Sequence, residues 1–194
     1  MNYAIIGSGQ IGTALARLFA RQPIEVVIAN TRGPESLAPL TNELGPTVLA
    51  QSVEDAQRAE MLFLAVPFPA HRAVAALRGD WTGKIIVDMT NAFQVAPDEL
   101  GKRLSSALVA EAFVGARLVK AFNHLPAHQL GTREGQAVFV ASNDAGAGAA
   151  VAALATQLGL AAVDLGRLDQ GGVPLHVVGG KPGGLLFQNL AKLA

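Results

Sequence analysis

Gly7, Gly9 and Gly12, with Ser8, Gln10 and Ile11 between them, stand where an apolar run, Tyr3 to Ile6, gives way to a pattern placing Ile11, Leu15 and Leu18 at helical spacing. In a strand, turn and helix each glycine has a physical task. Gly7 permits the tight turn off the strand, Gly9 lets backbone approach a pyrophosphate, and Gly12 allows close packing of helix on strand. Unpaired N–H groups of Gly9, Gln10 and Ile11 at the helix start, with the positive end of the helix dipole, favour an anion there. The spacing therefore predicts a dinucleotide-binding turn rather than a plain glycine loop.

The choice between nicotinamide dinucleotides is made at the end of the second strand, about 20 positions beyond the first glycine. A carboxylate there would hold the ribose 2′-hydroxyl. This chain has Asn30, Thr31, Arg32 and Gly33, with no acid before Glu35. A 2′-phosphate would meet a hydroxyl and a guanidinium instead of a repelling charge, and Arg32 is suited both to pair with it and to stack on adenine. NADP(H) is preferred over NAD(H). The plainer reading of Arg32 is a solvated arginine ahead of a helix starting at Pro34.

Any redox chemistry must come from a bound cofactor, because the chain has no cysteine. That also excludes disulfides, thiol catalysis and cysteine-held metals. The single tyrosine, Tyr3, sits in the first strand, so a tyrosine and lysine pair of the short-chain dehydrogenase kind cannot be built. Of the four histidines, His71, His124, His128 and His176, His124 follows a strand at the expected ligand rim. It is suited to donate a hydrogen bond to a reduced acceptor, or, more plainly, to satisfy a backbone carbonyl. His124 and His128 are separated by Pro126 and have no clear third partner, so no metal site is expected. Lys120 is expected to lean along its strand with the ammonium in solvent. Asp88 and Asn91 should fix a loop backbone, Asn91 being the better ligand contact.

The elements that would hold these groups are legible as apolar runs: 4–6, 26–29, 47–50, 61–66, 85–88, 118–122, 138–141 and 161–165. Segments of helical composition separate most of them, including the alanine-rich stretch from Asn143 to Ala155. Strands alternating with helices predict an α/β fold: a Rossmann-type, doubly wound, mostly parallel sheet with helices on both faces. Ligands in such sheets bind beyond the carboxyl ends of the strands. There the chain places GSGQ, NTRGP, PFPAH, MTNAF and NHLPAH.

With 194 residues, 51% hydrophobic, the chain reads as one nucleotide-binding domain spanning 1–194 with a short C-terminal helical elaboration. Zero net charge gives no footprint for nucleic acid or a membrane surface. The partner expected is a small-molecule redox acceptor. The first strand begins close to Met1 and no apolar run is long enough to span a bilayer, so a cytoplasmic protein is expected. The closing segment from Gly179 to Ala194 carries Leu185, Leu186, Phe187 and Leu190. It is expected to cap the chain's own sheet or to pack in a homodimer.

Taken in order, YAIIGSGQIGTALA, ANTRGPESL, FLAVPFPAHRAV, IIVDMTNAF, LVKAFNHLPA and LGRLDQGG resemble the NADP oxidoreductases of the coenzyme F420-dependent type. These pass hydride between NADP(H) and a deazaflavin. The same region is similar to the oxidoreductase domain of the STEAP metalloreductases, which pairs NADPH with a flavin. The resemblance implies that Gly7 to Gly12, including Ser8, Gln10 and Ile11, hold pyrophosphate. It implies Thr31 and Arg32, beside Asn30, for the 2′-phosphate, and Val66 and Pro67 for the ribose near the nicotinamide. Asn91 would sit close to the nicotinamide, with Asn123 and His124 lining an acceptor pocket. The function expected is hydride transfer between NADPH and a flavin-like or deazaflavin acceptor. A non-catalytic NADP(H) sensor and a reductase of a small carbonyl or imine are the alternatives.

Overall fold

Each apolar run becomes a strand, because β-branched and aromatic side chains alternating across a sheet bury both of its faces. In this computed structural model, which describes residues 1–93, 95–101, 103–178 and 181–182, the strands are β1 (Tyr3–Ile6), β2 (Val26–Ala29), β3 (Val48–Gln51), β4 (Met61–Leu64), β5 (Ile85–Asp88), β6 (Arg117–Ala121), β7 (Ala137–Ser142) and β8 (Ala161–Asp164). Helices α1 (Gln10–Arg21), α2 (Ala38–Leu44), α3 (Val53–Ala56), α4 (His71–Ala75), α5 (Pro97–Leu100), α6 (Ser105–Ala112) and α7 (Ala145–Gln157) lie between them. The alanine-rich stretch is therefore helical as expected, with Asp144 as its N-cap accepting from the Ala147 N–H at 2.7 Å.

The strands are ordered β3-β2-β1-β4-β5-β6-β7-β8. From β3 to β6 they run parallel, and the order reverses between β1 and β4, which opens a crevice above their carboxyl ends. The last two strands depart from the parallel pattern. β7 pairs antiparallel to β6, and β8 runs with β7. A parallel crossover needs a connection of helix size, whereas residues 122–136 form turns, with Gly131 and Gly135 at positive φ.

Alternation along the strands divides the core in two. On one face Ile5, Ile28, Phe63, Val87 and Val119 pack with Leu15 and Phe19 of α1 and Val151 and Leu154 of α7. On the other, Ile6, Leu62, Leu64 and Ile86 pack with Val74, Trp81, Val109 and Phe113. Trp81 is fully buried, its ring set edge-on to Phe113 at 4.9 Å and its Nε1–H donated to the Ala75 carbonyl at 3.0 Å. Each such large apolar side chain contributes about 1.5–3 kcal/mol by leaving water. Among the described residues no helix is long and apolar enough to cross a membrane. The apolar C-terminal positions, Leu185, Leu186, Phe187 and Leu190, and any dimer contact they make, lie outside the described residues.

Candidate functional site

Gly7 leaves β1 at φ +113°, and a Cβ there would lie 2.2 Å from the Ala65 carbonyl oxygen. Gly12 is equally constrained, since its Cβ would come 2.0 Å from the Gly7 carbonyl. Gly12 thus lets α1 sit against the turn itself. Gly9 is different: its backbone is ordinary, at φ −73° and ψ −172°, and a Cβ there meets nothing within 4 Å. Nothing in the chain itself requires glycine at that position. The open space lies before the N-terminus of α1, which has no side-chain cap and no acid in its first turn. Both features fit a phosphate group received by backbone N–H groups.

Beyond β2, the Asn30 amide is an organiser rather than a free donor. Its Nδ2 donates to the hydroxyls of Ser8 at 2.8 Å and Ser36 at 3.1 Å, while its Oδ1 accepts the Arg32 N–H at 2.8 Å. Ser36, which the sequence pattern did not single out, closes this Asx turn. The turn leaves Thr31 and Arg32 exposed, and Arg32 Nη2 lies 3.5 Å from the Ser8 hydroxyl. Guanidinium, hydroxyls and the glycine turn therefore converge where a 2′-phosphate would follow a pyrophosphate.

Two cavities flank this turn. One, of about 440 Å³, is bordered by Gly7, Asn30, Thr31, Ser52, Val53, Glu54 and Val66, among others. The other, of about 390 Å³, opens above β4, β5 and β6 between Gln10, Ile11, Val66, Pro67, Phe68, Asn91, Phe93, Phe122 and Asn123. Val66 borders both, so one extended molecule lying over the turn reaches each of them. The β3 end, Ser52 to Glu54, was not anticipated as part of the site. Its signal was the Ser52-x-x-Asp55 pattern, in which Ser52 Oγ accepts the Asp55 N–H at 3.0 Å and starts α3.

The second cavity is held from behind by a buried polar chain. Phe122 adopts φ +62° at the end of β6, a conformation that costs a non-glycine residue about 1 kcal/mol or more. Next to it, Asn123 Nδ2 donates to Asn91 Oδ1 at 2.9 Å and to the Leu175 carbonyl at 2.7 Å. Asn91 Nδ2 returns a bond to the Asn123 carbonyl at 2.8 Å. Backbone acceptors fix both amides, which leaves Asn123 Oδ1 buried without a donor among the described residues.

Lys120 corrects the sequence expectation. Its ammonium is not in solvent: the side chain is 1% exposed, with Nζ 2.9 Å from Asp88 Oδ2, and it also donates to the Thr90 carbonyl. Asp88 Oδ1 accepts from the Thr90 N–H and hydroxyl at 2.9 and 2.6 Å. The pair thereby fixes the loop that presents Thr90 and Asn91, the role read for Asp88. His124 takes the plainer of its two readings, a histidine set against a backbone carbonyl. It is not among the residues that line the cavity; its Nε2 lies 3.3 Å from the Ala137 carbonyl and its ring packs on Phe139 at 4.8 Å. Burial pushes its imidazole down to about 4, against the opposing bond to Ala137. His176 lies between the hydroxyls of Ser105 and Ser106, at 3.2 and 3.3 Å. Burial first and the Lys120 ammonium second hold it down to about 4, with Asp88 and a backbone bond at Leu168 opposing.

Residues 2–92 match the family model described as NADP oxidoreductase coenzyme F420-dependent. A hypothetical protein from Sinorhizobium meliloti, of known crystal structure, is 39% identical with a TM-score of 0.86, over 94% of this chain and 92% of that one. An Arthrobacter sp. FB24 protein, provisionally named an F420-dependent NADP reductase, is 27% identical with a TM-score of 0.74, over 87% and 86% of the two chains. Metalloreductase STEAP3 of Rattus norvegicus is 29% identical over 168 residues, which are 84% of this chain and 33% of the relative. The chain thus spans about a third of the length of that curated relative. With the glycine turn, the Asn30 turn and the cavity above β4 to β6 in this arrangement, the chain belongs to the NADP oxidoreductase family of the coenzyme F420-dependent type.

Proposed function

We propose that this chain transfers hydride between NADPH and a flat, flavin-like or deazaflavin ring received in the cavity beside Asn91 and Asn123. The observation that carries the reading is the composition of that cavity. Its lining joins apolar and aromatic side chains, Pro67, Phe68 and Phe93 among them, to the amides of Gln10, Asn91 and Asn123 and one hydroxyl, with no ionisable side chain among the residues that border it. Hydride passage between stacked rings needs distance and orientation, which such walls provide, and it needs no protein acid at the reacting carbon. Reduction of a small carbonyl or imine would instead call for a positioned proton donor. The Thr90 hydroxyl is already donated to Asp88.

Phe93, 49% exposed at the rim, offers a further aromatic face to a planar acceptor. NADPH, when bound, supplies the hydride. Gly7 to Gly12 would receive its pyrophosphate, Thr31 and Arg32 its 2′-phosphate, and Val66, Pro67 and Asn91 the nicotinamide end. The test is NADPH oxidation by the purified chain with FMN, FAD and a deazaflavin offered in turn, and NADH as the control donor. Acceptor-dependent turnover with NADPH preferred supports the reading. Tight NADPH binding without turnover of any ring would replace it with a sensor.

A further inference from the structure

The LGRLDQGG pattern, residues 165–172, and the short turn Val173–Leu175 that follows it contribute no side chain to the ring cavity. Together with His176 they form a strap that leaves the edge strand β8 and returns across β7 to the start of α6. Its course is fixed at each step. The Ser142 N–H is donated to the Gly166 carbonyl at 2.9 Å, and the Leu168 N–H to Asn143 Oδ1 at 3.1 Å. A Cβ at Gly171 would lie 1.9 Å from the Leu165 carbonyl oxygen, and one at Gly172 2.6 Å from the Ala141 Cβ, so the strap folds on itself and presses on β7 only with glycine at both. Leu168 and Leu175 are buried beside Ala141. The buried His176 anchors the far end, its ring nitrogens 3.2 and 3.3 Å from the hydroxyls of Ser105 and Ser106, which open α6. The same ring bonds to the Leu168 backbone, which ties the end of the strap to its middle.

One residue before this anchor, the Leu175 carbonyl takes a hydrogen of Asn123 Nδ2 at 2.7 Å, while Asn91 Oδ1 takes the other at 2.9 Å. Both hydrogens of that amide are spent, so Asn123 ties the Asn91 loop to the strap. Its neighbour Phe122 borders the cavity at φ +62°, a backbone state that persists only where the surroundings over-determine it. The bond to Leu175 is one of those constraints. We infer that the strap, anchored by His176, positions the Phe122 and Asn123 wall of the ring cavity, which makes His176 a positioning residue for the acceptor although it does not border that cavity. The inference rests on the hydride reading above for what the cavity receives. Burial of Leu168 and Leu175 holds the strap down; the polar anchor adds direction, setting where the Leu175 carbonyl points.

The experiment compares His176→Leu, which keeps bulk and removes the bonds, with His176→Gln, whose amide offers a donor and an acceptor to the two serines. With NADPH as donor and FMN or a deazaflavin as acceptor, His176→Leu should raise the acceptor KM about five- to tenfold, the loss of about one hydrogen bond, with Kd for NADPH within about twofold of wild type. His176→Gln should recover most of the difference. A second readout needs no turnover: the Asn123 Nδ2 hydrogens, followed by nuclear magnetic resonance, should exchange with solvent about tenfold faster in His176→Leu than in the wild-type chain. Ser105→Ala combined with Ser106→Ala leaves the imidazole in place and should shift both readouts in the same direction by less; it carries the test if His176→Leu does not fold. A variant that melts earlier yet keeps the wild-type acceptor KM and Asn123 exchange overturns the positioning role, as does a loss that falls equally on NADPH. Failure of every ring to turn over with the wild-type chain overturns the hydride reading alone, and Asn123 exchange then decides the strap: faster exchange supports it and unchanged exchange overturns it.

Discussion

A methyl group added at Gly9 should separate the phosphate seat from the fold. Its backbone, φ −73° and ψ −172°, is one that any residue adopts, and the new Cβ meets no atom within 4 Å. Replacing glycine in such a conformation removes unfolded-state freedom worth about 0.4–1 kcal/mol. Alanine is the poorer N-cap, by a similar ~0.5–1 kcal/mol. The two offset, so Gly9→Ala should move Tm by less than about 4 °C in a chain of this length. The ligand meets a different balance. The methyl stands in front of the N–H groups of Gly9, Gln10 and Ile11, and loss of a single charge-assisted bond to phosphate costs about 1.5–3 kcal/mol. Kd for NADPH should therefore rise about 10- to 150-fold. Melting curves without and with NADPH, followed by calorimetric titration, measure both. Gly12→Ala, with its Cβ 2.0 Å from the Gly7 carbonyl, is the contrast and should destabilise the unliganded chain severely. A Gly9→Ala chain that binds NADPH as tightly as wild type, or melts as early as Gly12→Ala, would refute the assignment.

The 2′-phosphate reading is tested by Arg32→Ala, which should weaken NADPH by roughly one to two orders of magnitude and NADH by less than about twofold; equal losses remove the role. Lys120→Met leaves the Asp88 carboxylate buried and alone, which costs about 3–5 kcal/mol and should lower Tm by roughly 10 °C. Lys120→Met with Asp88→Asn should recover part of that, and no recovery would mean that packing alone is at stake. The histidines set an acid limit. Unfolded imidazoles bind protons below about 6.5, whereas His124 and His176 stay neutral in the fold down to about 4. Stability is therefore fully present above 6.5 and lost as pH falls toward 4, on the order of 3 kcal/mol for each group. Tm measured against pH should show this slope. His124→Leu should flatten it while leaving the acceptor KM unchanged, and an unaltered slope would remove His124 from the account.

The strands and the glycine turn were legible because both are local signals. β-branched runs, turn residues and the helical spacing of Ile11, Leu15 and Leu18 are set by neighbours in sequence, and all eight runs form strands within one or two residues. The reversal of β7 was less visible, because its cause lies in what residues 122–136 lack, a crossover helix. Asn30 stands at the end of β2, where the sequence drew attention to it, yet its part was hidden. It faces Ser8 and Ser36 rather than solvent, and nothing in NTRGPES by itself says which polar side chains spend their hydrogen bonds on one another.

Lys120 shows where a reading by neighbours misleads. A lysine in an apolar strand ordinarily extends its stem to reach water, but register decides otherwise here. Asp88 and Lys120 are direct partners in the parallel pairing of β5 and β6, so the two ends of one ion pair lie 32 residues apart in the chain. A buried pair of this kind gives little net stability, since desolvation offsets the attraction. Its consequence is positional. Lys120 holds the Thr90 carbonyl while Asp88 holds the Thr90 N–H, and the loop they fix presents Asn91 to Asn123. The same arrangement includes His176, which burial and then the Lys120 ammonium keep neutral between Ser105 and Ser106, and whose neighbour Leu175 accepts from Asn123. The cavity wall is thus fixed by groups that never line it. Substitutions at Lys120 or Asp88 should therefore raise the acceptor KM through the Asn91 loop while leaving the glycine turn, and NADPH affinity at its phosphates, unaltered.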